Sequence, residues 1–267
     1  MGPGTTGVDE HEALDRLSRV HGEAGLFAAV QALVGQFANN ASALAVYEAW
    51  RTETQGMATA QGVAADVALL SPATRLPCLE ALLDRVRLQP KPARRTLLQA
   101  TRRVMAANAP LRPVDRLHWL LMRLKLGDRP PAMASPDAHN DLLQLPAHSL
   151  RQLAVLTAHL SSMVPGRQPE LGLAWYIHVV AGLMPNAMVP ACVLPDGDAL
   201  ANAVHEAQAL PWMLRPVLVR AWVDAALHVG QRATLAAGAA DALRLAAGLL
   251  ESPLPPEVAR HYSELAW

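Results

Sequence analysis

RRTLLQATRRVMAANAPLRPVDRLHWLLMRLKLGDRPP, residues 94–131, is the stretch whose reading decides the fold. Leu97, Leu98, Thr101, Val104 and Met105 recur at three- and four-residue spacing, while Arg95, Arg102 and Arg103 fall off that face. This is the period of an amphipathic helix. AANAPLRP interrupts it with two prolines, and Leu117, Leu120, Leu121 and Leu124 then resume the same period until Gly127 and the double proline. The stretch therefore predicts two helices joined by a short turn, a pairing that favours antiparallel neighbours.

Adding 121 to each number leads to a second stretch, RPVLVRAWVDAALHVGQRATLAAGAADALRLAAG, residues 215–248. Arg94/Arg215, Leu97/Leu218, Ala100/Ala221, Arg123/Arg244, Leu124/Leu245 and Gly127/Gly248 are identical. So few matches in a chain rich in Ala, Leu and Arg carry little by themselves. The shared layout carries the expectation of two similar helical halves.

Composition agrees with helices. At 267 residues the chain is long enough for one large or two small domains. An apolar fraction of 52% with 17% charged residues excludes the composition of a disordered chain. Aromatics make up only 4%, and a core of Ala and Leu is built more readily from helices than from sheets. All-α, as a multi-helix bundle with short loops, is the expected fold class. Residues 1–8 read as a flexible tail, with Asp9 capping the first helix. Residues 9–131 read as the N-terminal half, 132–142 as a linker rich in proline and small polar residues, and 143–267 as the C-terminal half closed by a helix over PEVARHYSELAW.

The formal net charge of zero offers no global attraction to nucleic acid or a membrane. No basic region followed by an apolar run opens the sequence, so a secretory signal is not expected. Residues 171–195 are uncharged, but Pro185, Asn186 and Pro190 break the run and leave the length of a buried core helix. Cys78 and Cys192 sit in apolar surroundings without metal-ligand spacing and read as reduced, buried thiols.

The search for chemistry finds mainly absences. His11-Glu12 and His205-Glu206 begin like the zinc-peptidase signature, but Asp15 and Ala209 stand where the second histidine is needed. His118, His178 and His228 read as single histidines in apolar helices. No nucleophile elbow, phosphate-cradling glycine loop or paired carboxylate is present. No catalytic residue, cofactor or metal site is assigned, and neither an enzyme nor a small-molecule ligand is expected. The one charge anomaly lies between Arg85 and Arg129, where twelve lysines and arginines face Asp115 and Asp128 alone. Arg94, Arg95, Arg102, Arg103, Arg112 and Arg116 form the candidate basic patch, suited to phosphates of nucleic acid or acidic lipid headgroups. The competing reading is two solvated helix faces paired with acids elsewhere, favoured by the lack of interleaved aromatics.

Three segments together, LSPATRLPCLEALLDRVRL, the opening stretch and DALRLAAGLLESPLPP, resemble the soluble helical C-terminal extension of proteobacterial membrane zinc metallopeptidases of the CAAX-protease/HtpX-like kind. SALAVYEAW is similar to the start of that extension, which is related to the TerB-like domains. The resemblance implies two TerB-like halves in a stand-alone relative without the peptidase domain, so proteolytic activity is not carried over. It also implies an acidic turn suited to a divalent cation. Here the corresponding turns are Ala107-Asn108-Ala109-Pro110 and His228-Val229-Gly230-Gln231, without a carboxylate. The function expected is a non-catalytic protein-interaction or regulatory module, in the bacterial cytoplasm or at the inner face of the membrane, acting with a membrane peptidase or an envelope or stress system. The alternative is an anionic-surface binder through the segment from Arg85 to Arg129.

Overall fold

The computed structural model describes residues 5–35, 43–108, 110–127, 141–166 and 168–265. Among the described residues it is all-α, with thirteen α-helices, one 3-10 turn and no strand. The expected linker therefore lies outside the described residues up to position 140, as do Asn40 and Ser42, the expected caps of the third helix. The helices α5 (Pro72–Arg87), α6 (Lys91–Ala106), α7 (Pro113–Lys125), α9 (Pro169–Leu183) and α13 (Pro256–Ala259) all open with proline in their first two positions. There the missing N–H has no intrahelical partner to lose, and the fixed φ suits the helix.

Contacts divide the chain into two units. The first comprises the described parts of Met1–Asp115, Met122–Arg129 and Tyr262–Trp267. Its centre is α2 (Gly22–Gly35), whose residues are buried on every face from Gly25 to Gly35. A helix that is apolar all round belongs inside others, and α3 (Ala43–Glu53), α4 (Ala60–Leu69), α5 and α6 pack around it. α1 (Thr5–Ser18) lies against α4. It starts upstream of the expected cap at Asp9, because no proline between residues 5 and 8 prevents the helix from extending. Trp50, fully buried, donates its indole N–H to the Ala28 carbonyl at 3.1 Å and ties α3 to α2.

The second unit comprises Arg116–Leu121 and the described part of Pro130–His261. α8 (Ala147–Leu160) packs on α10 (Gly197–Gln208) and on α9, α9 packs on α11 (Leu214–Gly230), and α12 (Ala237–Leu249) packs on α11. A Cβ added at Gly172 of α9 would lie 2.1 Å from the Ser161 carbonyl at the end of α8, so glycine permits this close approach. Trp175 and Trp222 are both fully buried, and the Trp175 indole donates to the Trp222 carbonyl at 3.0 Å.

Two sequence expectations need correction. The closing helix α13 is a single turn rather than the whole of PEVARHYSELAW. The chain leaves the helical path, and the Ser263 amide donates to the Ala73 carbonyl of α5 at 3.1 Å. His228, Val229 and Gly230 belong to α11, and the turn begins at Gln231, whose φ of 49° is left-handed.

Arg94 and Arg215, the pair that opened the two similar stretches, have similar roles. Arg94 at the start of α6 donates to the Leu126 carbonyl at 2.8 Å, where α7 ends and Gly127 turns with φ 69°. Arg215 at the start of α11 donates to the Leu250 carbonyl at 3.1 Å, where α12 ends, and to Gln208 and Leu210 at the end of α10. Each guanidinium satisfies carbonyls that a helix C-terminus leaves without partners.

Candidate functional site

The four turn residues between α6 and α7 carry no carboxylate, but a neighbouring acid reaches the turn. Asp115, in the first turn of α7 and buried, folds back onto it. It accepts hydrogen bonds from the Asn108 amide at 2.9 Å, the Arg112 backbone N–H at 3.0 Å, and Arg112 Nε and Nη2 at 3.0 and 2.6 Å. The acid thus caps the helix N-terminus and neutralises the local arginine. With its oxygens taken by these donors, it is set up as a structural anchor and not as a cation ligand.

The six arginines of the candidate patch do not act alike. Arg94 clamps a helix end, as above. Arg112 pairs with Asp115. Arg116 donates to the Pro195 carbonyl at 2.7 Å. Arg103 makes a bidentate pair with Glu53 at 2.5 and 2.7 Å. That bond, with the arginine's charge, holds the Glu53 carboxyl below its ordinary range against the opposing effect of burial. Arg95 and Arg102 are exposed on the outer face of α6, and no ion-pair partner is seen for them among the described residues. Nearby, Arg85 donates to the carbonyls of Leu17, Ser18 and Val20 at the end of α1, and Lys125 pairs with Asp84 at 2.7 Å. Among the described residues of this segment, Arg87, Lys91, Arg95 and Arg102 are exposed.

The histidines also separate. His118 and His159 are buried, whereas His178 on α9 and His228 on α11 are exposed, with their rings facing at a centroid distance of 5.0 Å. They are fifty residues apart in the chain, so no spacing could have signalled the pairing. Glu206 of the incomplete zinc-peptidase motif accepts from Ser149 at 2.7 Å and joins α10 to α8. Among the described residues, no group of three or more His, Cys, Asp or Glu side chains is arranged to hold a metal ion.

Both cysteines are free. Burial pushes the Cys78 thiol up to about 12, which keeps it protonated and inert near neutral pH. Cys192 is half-buried instead of buried, with its sulfur 3.3 Å from the Ser161 hydroxyl.

The uncharged run that reads as a core helix is core on one face only. Gly172, Trp175, Tyr176, Val179, Val180 and Leu183 are buried, while Leu173, Ala174, Ile177, His178, Ala181 and Gly182 are exposed. Leu173 and Ile177 retain 48% and 47% of their exposure, one turn apart. After α9 the chain forms an irregular strap over residues 185–195. The Tyr176 hydroxyl donates to the Pro190 carbonyl at 3.0 Å, and Val189 and Cys192 pack against Tyr176 and Val180. Burial, followed by the nearby Cys192, raises the Tyr176 pKa and keeps that hydroxyl a donor. Met188 of the strap is 92% exposed, and Val193 and Leu194 are exposed as well. No helix among the described residues is long and apolar enough to cross a membrane. The apolar outer face of α9 is therefore not part of a spanning segment within them.

A separate open cleft of about 650 Å³ lies between α3 and α4, lined by Trp50, Arg51, Thr54, Gln55, Met57 and Gln61 among others. Among the described residues, its walls bring together no acid, histidine or cysteine. No protein-family model, no curated protein and no solved structure matches the chain.

Proposed function

We propose that the chain is a non-catalytic helical interaction module that seats a protein partner on the outer face of α9. The observation that carries this reading is the exposed side of α9, where Leu173, Ala174, Ile177, Ala181 and Gly182 stand beside His178 without an Asp, Glu, Lys or Arg among them. Exposed apolar surface costs solubility, and contiguous patches of it mark interaction sites. The lack of charge selects an apolar surface on the partner, and Ala174, Ala181 and Gly182 leave room for a helix to approach closely. In keeping with the family resemblance, the partner class we propose is a bacterial membrane peptidase or another component of an envelope or stress system, met in the cytoplasm or at the inner membrane face. The two units are then TerB-like halves, and the matching roles of Arg94 and Arg215 support their likeness. The test is partner recovery with the intact face and with Leu173→Asp/Ile177→Asp.

A second reading, binding to nucleic acid or acidic lipid, rests on the open cations Arg87, Lys91, Arg95 and Arg102. Arg94, Arg103, Arg112 and Arg116 are held in internal contacts, so the available charge is far smaller than the sequence surplus. Phosphate contacts from these four described cations give a log–log salt slope on duplex DNA of about −3.6. Binding steeper than that, or unaffected by Arg95→Glu/Arg102→Glu, contradicts this reading.

A further inference from the structure

Among the described histidines, His178 and His228 stand apart in facing one another across two packed helices while both stay open to solvent. Two imidazoles sharing one ion place their ligating nitrogens about 3.3 Å apart, the separation that two bonds of about 2.0–2.1 Å span at a tetrahedral centre. Rings with centroids 5.0 Å apart and planes inclined by 31° can present nitrogens at that spacing through rotation of the side chains alone. Neither residue needs to leave a core position, and α9 and α11 are already held together by the Trp175–Trp222 hydrogen bond. The helices therefore fix the spacing before any ion arrives, which makes the second metal bond intramolecular.

We infer that His178 and His228 form a two-imidazole site for a borderline divalent transition metal such as Zn²⁺, Ni²⁺ or Cu²⁺. Imidazole nitrogen suits these ions, and hard, oxygen-seeking ions such as Mg²⁺ and Ca²⁺ are excluded by the ligand type. The nearest acid along α11 is Asp224, one turn before His228, and it is paired with Arg220 at 2.7 Å. The chain thus supplies two ligands. The remaining positions stay with exchangeable water or with a donor from outside the chain. Because the two ligands come from different helices, the ion fastens α9 to α11 and stabilises the folded chain in proportion to its occupancy.

Isothermal titration of the full chain with Ni²⁺ and with Zn²⁺ tests the site, alongside His178→Gln, His228→Gln, the double variant and the control His21→Gln. Both site positions are exposed, so the substitutions remove no core contact. Circular dichroism of each variant confirms that helicity is retained. The expected result is one site lost by about tenfold or more in either single variant, no further loss in the double variant, and no change in the control. Saturating metal is also expected to raise the thermal midpoint of the wild-type chain by about 5 °C and to leave the double variant unmoved. Equal binding by wild type and double variant, or small losses that simply add, overturns the inference. So does tight binding of Mg²⁺ that depends on the same residues.

Discussion

The amide of Ser263 donates to the carbonyl of Ala73, 190 positions earlier in the chain, at 3.1 Å. The reason lies four residues beyond Ala73. In an α-helix that carbonyl would accept from residue 77, but Pro77 has no N–H to give. The proline thus frees an acceptor on α5, and the chain's closing segment uses it instead of continuing α13 as a helix.

Pro77→Ala restores a competing donor inside α5. Amide exchange at Ser263 is then expected to speed up by about tenfold, the equivalent of one net hydrogen bond of roughly 1.4 kcal/mol. Hydrogen exchange resolved to residues 262–265 measures this. Unchanged exchange there means that other contacts hold the segment and the freed carbonyl is incidental.

The arginine clamps at helix ends predict a hierarchy of stability effects. Arg215 reaches three carbonyls from a largely buried position, so Arg215→Ala is expected to cost about 2–3 kcal/mol. Arg94 reaches one carbonyl, and Arg94→Ala is expected to cost about 1–2 kcal/mol. Arg95, exposed on the same helix as Arg94, is expected to change stability by no more than about 0.5 kcal/mol when replaced by Ala. Urea unfolding of the three variants orders them, and equal effects at Arg94 and Arg95 contradict the clamp.

Acid sensitivity follows from Glu10 of α1. Burial pushes its carboxyl up, but hydrogen bonds from the Thr74 hydroxyl at 2.6 Å and the Ser71 N–H at 2.7 Å, with the Arg75 charge, outweigh burial and hold it below the ordinary value. A lowered folded-state pKa contributes stability above the unfolded value, about 4.3, and that contribution disappears as pH falls through the folded value. Glu10→Gln is therefore expected to be less stable than wild type at pH 6, with the difference shrinking as pH falls below the unfolded value of about 4.3. A difference that persists or grows in acid contradicts the assignment.

Most of the fold was legible from periodicity and punctuation. Leu97, Leu98, Val104, Leu117 and Leu121 are all buried as their spacing requires, and the prolines mark helix starts. The α6–α7 turn was legible only in part, because Asp115 lies outside the four turn residues and returns through a helix-capping geometry. The likeness of Arg94 and Arg215 was visible as an alignment, while their shared contact with helix ends was not. On α9, the absence of charge was plain in the sequence. It could not say that Trp175 and Tyr176 face inward while Leu173 and Ile177 face out, because an uncharged helix shows no contrast between its faces. The pairing of His178 with His228 depends on tertiary packing between helices distant in sequence, beyond the reach of any local pattern.

The uncharged outer face of α9 is the centre of the functional account. Quantitative co-purification from the native cell, using the wild-type chain and Leu173→Asp/Ile177→Asp, tests it most directly. Both substitutions fall on exposed positions, so helicity and thermal midpoint are expected to stay unchanged. Placing two carboxylates in an apolar contact is expected to weaken partner binding by about 100-fold or more. Loss of a specific partner by a folded variant is the predicted result. Recovery of the same partner at the same level by wild type and variant would contradict the account.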